Sequence, residues 1–540
     1  MQNTTNHCLS SDRNDAIVFP YDFALDFEGI KNWQRRLWLP VPYPELRETT
    51  LQYMRRLIKG VAQVGAEDRR LAFLAALRVV GPWSVAVLES ALIVARMRDV
   101  RFTTHIPEVR YVGGFTESAP SATGLEQLFQ PASCRRPFVR KILWTAQWSP
   151  VWRLGATLTN PDILVFNRNN ALIRAARISQ QKICYDNVEG YYSKIWKSVS
   201  ESKISLWDKN DIRKLLDKAA EGFAIDESCR KRAIELITER FYIALNVIST
   251  QLNAIRDVRL PKQVWAGTGG YWPSRIVGLE IMRRGGIVRR FDHGYNSVFS
   301  RVIEEFILVE AAVSTHFVFT SEACAERWRK EPIAELLPPP LLESLPPTSK
   351  PYRPPRVRAV RRSDKSTGPR PRVLYATGQL KGFWQALPSK LPNLVYLDWT
   401  LRATQLLQTM PIDLVYRPHP GGVLGGKQNP VSTIANVPET KFEELLETVD
   451  LVVTDTPFSR VLCVALCSTK PVVYLDLGHD YFCEALLPLF NQRCKIVRLS
   501  YDDRGLPQAD RNVLVEAIFH AEPPDATVVE RFRNLFANEY

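Results

Sequence analysis

Two clusters in the last third of the chain set a cation, an imidazole and hydroxyls at the ends of short apolar runs. One is Asp413-Leu-Val-Tyr-Arg417-Pro-His419-Pro420-Gly421-Gly422; the other is Asp450-Leu-Val-Val-Thr454-Asp455-Thr456-Pro457-Phe-Ser459-Arg460. Arg417 offers a planar fork that matches phosphate. His419 stands between two prolines, Pro418 and Pro420, which restrict its backbone near the tip. Thr456 and Ser459 add hydroxyl donors. Pro457 suits the first turn of a helix, and a helix starting there would aim free N–H groups and its positive dipole end back at the strand tip. The chemistry this implies is anion binding, with a nucleotide phosphate as guest. The same residues also read as an ordinary helix cap, Asp455 and Thr456, and a loop histidine. Together, on neighbouring strands, the two motifs favour the site.

The middle of the chain carries a second set. Val264-Trp-Ala-Gly267-Thr268-Gly269-Gly270 is a strand tip and a glycine-rich turn. It lacks the G-x-G-x-x-G spacing, so Gly267, Gly269 and Gly270 read as letting a substrate approach the backbone closely, or as a tight turn without a ligand. Asp292-His293-Gly294 ends the run Ile287–Phe291. A histidine released there by glycine can reach a cleft and titrate near neutrality as a general base. Asp292 can orient it or act in its place; the plainer reading is a core histidine and a turn cap. Glu310, after Phe306–Val309, is a further carboxylate for the cleft.

These residues need elements to hold them. Three β-branched runs, ending at Arg417, Thr454 and Asp476, alternate with helix-length segments, the pattern of a parallel α/β sheet whose ligands bind beyond the carboxyl ends of the strands. Arg372–Thr377 opens that sheet, Gly378–Gly382 follows it as a candidate donor loop, and Trp399–Thr409 is helical. In the N-terminal half, Leu77–Trp83, Arg101–His105, Ile142–Ala146, Asp162–Asn167, Val264–Ala266, Ile287–Phe291, Phe306–Val309 and Ala312–Thr320 read as strands. Helices are expected over Thr50–Val64, Ser84–Arg98, Pro273–Arg284 and Ser321–Lys330. Ile212–Ala220 and Cys229–Ala254 have helical spacing.

The domain reading is then an N-terminal extension (1–70), an α/β lobe (71–330) with a helical insertion near 168–256, a Pro-rich basic linker (331–371) and a second α/β lobe (372–540). With 540 residues the chain exceeds a single core. The fold class is α/β, two Rossmann-like domains facing a cleft. The nine cysteines are scattered and odd in number, and Cys463 and Cys467 read as core. No apolar run near the length of a membrane helix and no signal peptide stand out, so a reducing cytoplasm is the expected compartment. The net charge is +14, and Lys350–Arg372 alone holds nine basic residues and one acid. Nucleic acid binding is one reading of that balance, weakened because the charge concentrates in a flexible link with no reader motif beside it, and no nucleic-acid partner is expected. The balance fits a solvated link or peripheral attraction to an anionic inner-membrane surface.

The ordered set Asp292-His293-Gly294, Arg417-Pro-His419-Pro420 and Thr454-Asp455-Thr456-Pro-Phe-Ser459 resembles bacterial GT-B glycosyltransferases of capsule and lipopolysaccharide assembly. It is similar to the β-Kdo transferases and to the polyol-phosphate polymerases of teichoic acid synthesis. The resemblance spans roughly Trp265 to Asp476. It implies a donor nucleotide held by His419, Pro420, Thr456 and Ser459, and an acceptor-side histidine at His293. It also implies a nucleotide-sugar donor, by analogy CMP-linked such as CMP-Kdo, and a glycan or lipid-linked glycan acceptor. Asp292 stands where Gln often precedes His-Gly, and Thr456-Pro-Phe-Ser replaces a tighter Ser-Ser pair. No Asp-x-Asp pair sits at a strand end, so neither metal nor other cofactor is expected. His293, Asp292 or Glu310 would serve as base, or one carboxylate as nucleophile in a retaining reaction. The alternatives are transfer of a polyol phosphate from a CDP-alcohol and a non-catalytic basic binding protein.

Overall fold

The computed structural model describes residues 16–22, 32–97, 100–121, 138–167, 169–186, 206–267, 272–292, 298–346, 370–380, 390–419, 429–457 and 459–536. Two short strands, β1 (Ile17–Val18) and β2 (Phe102–Thr103), pair with each other in parallel. Six further runs, β3 (Ile163–Phe166), β4 (Ile183–Tyr185), β5 (Gln263–Ala266), β6 (Ile287–Phe291), β7 (His316–Phe319) and β8 (Leu341–Ser344), form one sheet in the order β4-β3-β5-β6-β7-β8. Five more, β9 (Arg372–Ala376), β10 (Asp413–Arg417), β11 (Leu451–Thr454), β12 (Val472–Asp476) and β13 (Lys495–Arg498), form a second in the order β10-β9-β11-β12-β13. A ribbon of β14 (Ser500–Tyr501) and β15 (Pro507–Gln508) follows. Every pairing in the two large sheets is parallel. The molecule is therefore α/β with two Rossmann-like lobes, as its strand and helix alternation leads one to expect.

Both sheets are wound alike. The chain enters on an inner strand, steps outward once, then crosses back and continues on the other side. The reversal leaves a switch point between β3 and β5 in the first lobe and between β9 and β11 in the second, where doubly wound sheets open a crevice at the carboxyl ends of their strands. Side chains alternate as a sheet buried on both faces requires: Ile163 and Val165 join one apolar cluster, Leu164 and Phe166 another. Helix Trp272–Arg283 ends at Gly285, whose φ of +71° is the left-handed stop that glycine takes without strain. At Gly286 a Cβ would lie 2.5 Å from the Lys262 carbonyl, so the entry into β6 admits no side chain.

The structure corrects several local expectations. Leu77–Trp83 is not a strand, and Ser84–Arg98 is not a separate helix. After α1 (Tyr43–Ala62), both belong to one 30-residue helix, α2 (Glu67–Arg96), with Pro82 inside it. It is buried nearly all round, so its amphipathic period vanishes and Pro82 reads as a breaker. Over an 18-residue window it is apolar enough to cross a membrane, with mean hydropathy 1.9, yet 89% of that window is buried inside the protein. Ile142–Ala146 lies in helix Phe138–Ala146, and Phe306–Val309 lies in a π-helical turn, Phe306–Ala311. Short apolar runs carry no period that separates strand from buried helix. The supposed helical insertion contains β4, an edge strand of the first sheet, between helices Asn170–Ile178 and Lys209–Ala219. The supposed linker contributes β8, the opposite edge. The long helix Glu227–Ile255 lies against α2, with Phe73 and Phe241 stacked at 4.8 Å.

The lobes meet at the carboxyl ends of their strands. Ser300, beyond β6, bridges antiparallel to Phe482, beyond β12. The Cys483 N–H donates to the Phe299 carbonyl (2.7 Å), and the Arg301 N–H to that of Tyr481 (2.9 Å). Phe299 packs among Phe482, Phe490 and Phe532 at 5.9, 6.3 and 6.0 Å. Phe532 belongs to the last helix, Ala526–Phe536, which returns to the first lobe, where the Ser321 hydroxyl donates to the Leu535 carbonyl at 2.8 Å. The N-terminal segment, in turn, leans on the second lobe: the Leu39 N–H donates to Arg504 O (2.8 Å), and the Leu394 N–H to Pro20 O (3.2 Å).

Candidate functional site

In the second lobe, β9 places Ala376 between Arg417 of β10 and Thr454 of β11. The two sequence motifs are thus not on neighbouring strands, as expected; β9 separates them by two strand spacings, about 10 Å, wider than one phosphate. The loop after β9, Thr377-Gly378, and the loop after β11, Asp455-Thr456, flank the switch point. A Cβ on Gly378 would lie 3.1 Å from the Tyr396 hydroxyl and 3.5 Å from Thr456 Oγ1, so glycine keeps this crevice open.

Asp455 holds the switch point together from beneath. It is fully buried and accepts hydrogen bonds from Tyr375 Oη (2.7 Å), Tyr396 Oη (2.8 Å) and Trp399 Nε1 (2.9 Å). Burial raises its carboxyl pKa above the ordinary value, while the three donors oppose that rise. Tyr396 Oη also accepts the Gly378 N–H at 2.6 Å, so one carboxylate fixes the loops after β9 and β11 together. Thr377 Oγ1 and Tyr416 Oη, 2.9 Å apart, tie β10 to the same loop. Asp455 therefore faces inward and does not meet a nucleotide, contrary to the direct binding role read from the sequence. The aromatic donors Tyr375, Tyr396 and Trp399 were missed. Tyr375 and Trp399 lie in segments recognised as strand and helix, but nothing in their spacing announced a shared acceptor.

Thr456 remains at the crevice. Ser459 does not offer its hydroxyl hydrogen-bonding capacity undivided: its Oγ accepts the Val461 N–H at 3.0 Å and caps helix Arg460–Leu466. That helix begins at Arg460 rather than at Pro457 and is two turns long, so the expected phosphate site at its N-terminus is replaced by a capped end. Arg417 is half-buried, and its Nη1 donates to the Pro438 carbonyl at 3.0 Å, which fixes one side of the fork. His419 is also half-buried, two residues past β10. Pro420 lies outside the described residues.

In the first lobe β6 delivers Asp292 to its carboxyl end, where it is buried. His293 lies outside the described residues, as do Gly269 and Gly270. Gly267 is described: its N–H donates to the Phe166 carbonyl at 3.2 Å across the switch point. Its own carbonyl accepts from Asn169 Nδ2 at 2.5 Å. The same Nδ2 reaches the Phe291 and Asp292 carbonyls at 3.2 and 3.1 Å. Asn169 Oδ1 accepts the Leu172 N–H at 2.8 Å, capping helix Asn170–Ile178. One amide thus gathers the ends of β5 and β6 beside β3. Its only trace in the sequence is an asparagine before a helical run, a common cap.

Glu310 does not end a strand; it sits in the π-helical turn. Its charge acts on the buried Arg275 and Arg290 and the half-buried Arg78. Burial lowers all three guanidinium pKa values, that of Arg290 to about 10, and Glu310 opposes the fall. Arg275 spends its donors on the carbonyls of Leu74 (2.9 Å), Leu308 (2.6 Å) and Val309 (3.0 Å). Glu310 thus lies, half-buried, within electrostatic reach of these cations.

Asp292 comes within electrostatic reach of the second lobe. Burial drives the Cys463 thiol pKa well up, and the charges of Cys467 and Asp292 push it further in the same direction. Cys463 belongs to the helix that follows β11, so the end of β6 lies within electrostatic reach of the second lobe's switch-point helix. Among the described residues no group of three or more His, Cys, Asp or Glu side chains is arranged to hold a metal ion. A cavity of about 780 Å³ opens elsewhere on the seam, lined by residues of both signs such as Arg55, Arg301, Arg327, Glu304 and Glu484, and by none of the switch-point side chains.

No family model matches the chain, and no curated protein matches it. Among solved structures it is similar to that of CalG4, the calicheamicin glycosyltransferase, with 12% sequence identity and a TM-score of 0.34, over 70% of this chain and 94% of that one. At that level of likeness no residue role passes from one chain to the other.

Proposed function

We propose that this protein is a GT-B-type glycosyltransferase that moves a sugar from a nucleotide-activated donor to a growing surface polysaccharide of the capsule or lipopolysaccharide kind. The observation that carries this reading is the seam. Two doubly wound lobes meet at the carboxyl ends of their strands, and the tip of β6 with Asp292 lies toward the helix that follows β11. Such an arrangement offers a donor crevice on one lobe and an acceptor on the other, with water excluded between them. Arg417, His419 and Thr456 are the groups that would hold the donor's phosphates, at the β10 and β11 tips on either side of β9. Their charge and hydroxyls would stabilise the departing nucleotide without a metal. His293 and Asp292 would take the proton of the acceptor hydroxyl. The motif resemblance favours a CMP-linked donor, a lipid-linked glycan acceptor and action at the cytoplasmic face of the inner membrane.

Titration calorimetry with CMP-, UDP- and GDP-sugars tests the donor site. One of the three is expected to bind, and His419→Ala to weaken it by at least about tenfold, the loss of one charge-assisted contact. Unchanged affinity in that variant removes His419 from the site. The product separates the enzymatic readings: a new glycosidic bond supports sugar transfer, whereas a phosphodiester with release of CMP from a CDP-alcohol overturns it.

A further inference from the structure

The first lobe carries apolar side chains that the described residues leave uncovered. On helix Phe138–Ala146, Val139 and Leu143, one turn apart, are 62% and 59% exposed. In the following 3₁₀ turn, Val151–Arg153, Val151 and Trp152 are 77% and 83% exposed. The inward side of the same segment is firmly seated: Trp144 and Trp148 both pack edge-on against Tyr185 of β4, at 4.7 and 5.5 Å. The outward residues are therefore presented by a fixed scaffold. A tryptophan exposed to this degree on a seated turn is unusual for a surface that meets water alone.

The sequence of this segment carries one sign of charge. From Gln127 to Pro161 it holds Arg135, Arg136, Arg140, Lys141 and Arg153 and no acidic residue. Arg153 is exposed beside Trp152. Exposed apolar side chains with an interfacial tryptophan, in a segment whose sequence is cationic, complement an anionic lipid surface: aliphatic side chains and the indole enter the headgroup boundary while the exposed Arg153 meets lipid phosphates. A second copy of the chain fits less well. The four side chains expose roughly 500 Å², below the roughly 800 Å² per partner of a stable dimer, and two such faces would bring like charges together.

We propose that Val139, Leu143, Val151, Trp152 and Arg153 form a docking surface for an anionic membrane. The surface stands on its own observations and does not depend on the glycosyltransferase reading. Co-sedimentation of the full chain with vesicles tests it, using equal parts phosphatidylglycerol and phosphatidylcholine against phosphatidylcholine alone. The wild type is expected to partition onto the anionic vesicles and to be released by high salt. Val151→Ser with Trp152→Ser should lower the partition coefficient by on the order of tenfold or more, and Arg153→Glu should lower it on anionic vesicles only. The exposed positions leave the thermal unfolding midpoint and nucleotide-sugar binding at wild-type values, so failure of either proposal is read independently of the other. Equal partitioning of wild type and the double variant overturns the surface. So does a wild-type dimer in analytical ultracentrifugation that the double variant disperses while neither binds vesicles.

Discussion

At the scale of single residues, Asp455 shows how a side chain in a binding motif can serve the site without touching its ligand. Its carboxylate collects two phenols and an indole in a dry interior, and through Tyr396 it sets the Gly378 loop. Asp455→Ala leaves three donors without an acceptor, each costing about 1–3 kcal/mol. A loss of about 3 kcal/mol or more is expected in urea unfolding, and a loss below about 1 kcal/mol would show that the cluster holds little. The pH dependence has a definite sign. Burial raises the folded carboxyl pKa above the ordinary 3.8, so the folded state keeps its proton to higher pH than the unfolded chain. The stability that this proton confers is complete below 3.8 and is lost as pH rises through the folded pKa. Asp455→Asn has no such proton, and its stability curve is expected to lack that decline.

At the scale of elements, α1 is pinned to the loop after β12 by Tyr43 Oη and His479 Nδ1, 2.6 Å apart and both buried. Burial, then the nearby charges of Arg47 and Lys390, hold the His479 pKa well below the ordinary 6.5. The folded protein thus refuses a proton that the unfolded chain accepts. Stability is fully present above 6.5 and falls as pH drops below it, by up to about 1.4 kcal/mol per pH unit from this one group. His479→Gln should remove that share of the acid slope in urea melts between about pH 5 and 6.5. A slope identical to the wild type would mean that the imidazole takes up its proton in the folded state. Two helices, α1 and α2, and the short β1–β2 pair thereby join what the sequence presents as a separate extension to the body of both lobes.

At the scale of the molecule, the seam is an aromatic junction. Phe299 is fully buried among Phe482, Phe490 and Phe532, which come from the second lobe and the returning C-terminal helix. Phe299→Ala is expected to cost about 3–5 kcal/mol and to split a single calorimetric transition into two as the lobes uncouple. One unsplit transition at the wild-type midpoint would show that the lobes are held together elsewhere. If the crevice between β9 and β11 holds the donor as proposed, the same variant should also weaken nucleotide-sugar binding.

The sequence by itself determined that the chain builds two parallel sheets, but not that β4, β8 and β13 belong to them. β-branched runs between helix-length segments leave parallel strands as the consistent solution, and Ile287–Phe291 ends where its glycine-flanked histidine motif says it should. Glycine at 285 and 286 marked a helix stop because only that residue tolerates the backbone there. Local pattern could not tell a strand from a helix buried on all sides, which is why α2 was split at Pro82 and the turn holding Glu310 read as a strand. Strand order lay beyond it as well. β9 separates the Arg417 and Thr454 tips because sheet order follows from long-range packing and crossover handedness rather than from neighbours along the chain. Burial was decided last: whether Asp455 faces a ligand or three aromatic donors, and whether Asp292 comes within electrostatic reach of Cys463, depends on groups scores of residues away, whose arrangement exists only once both lobes have closed on one another.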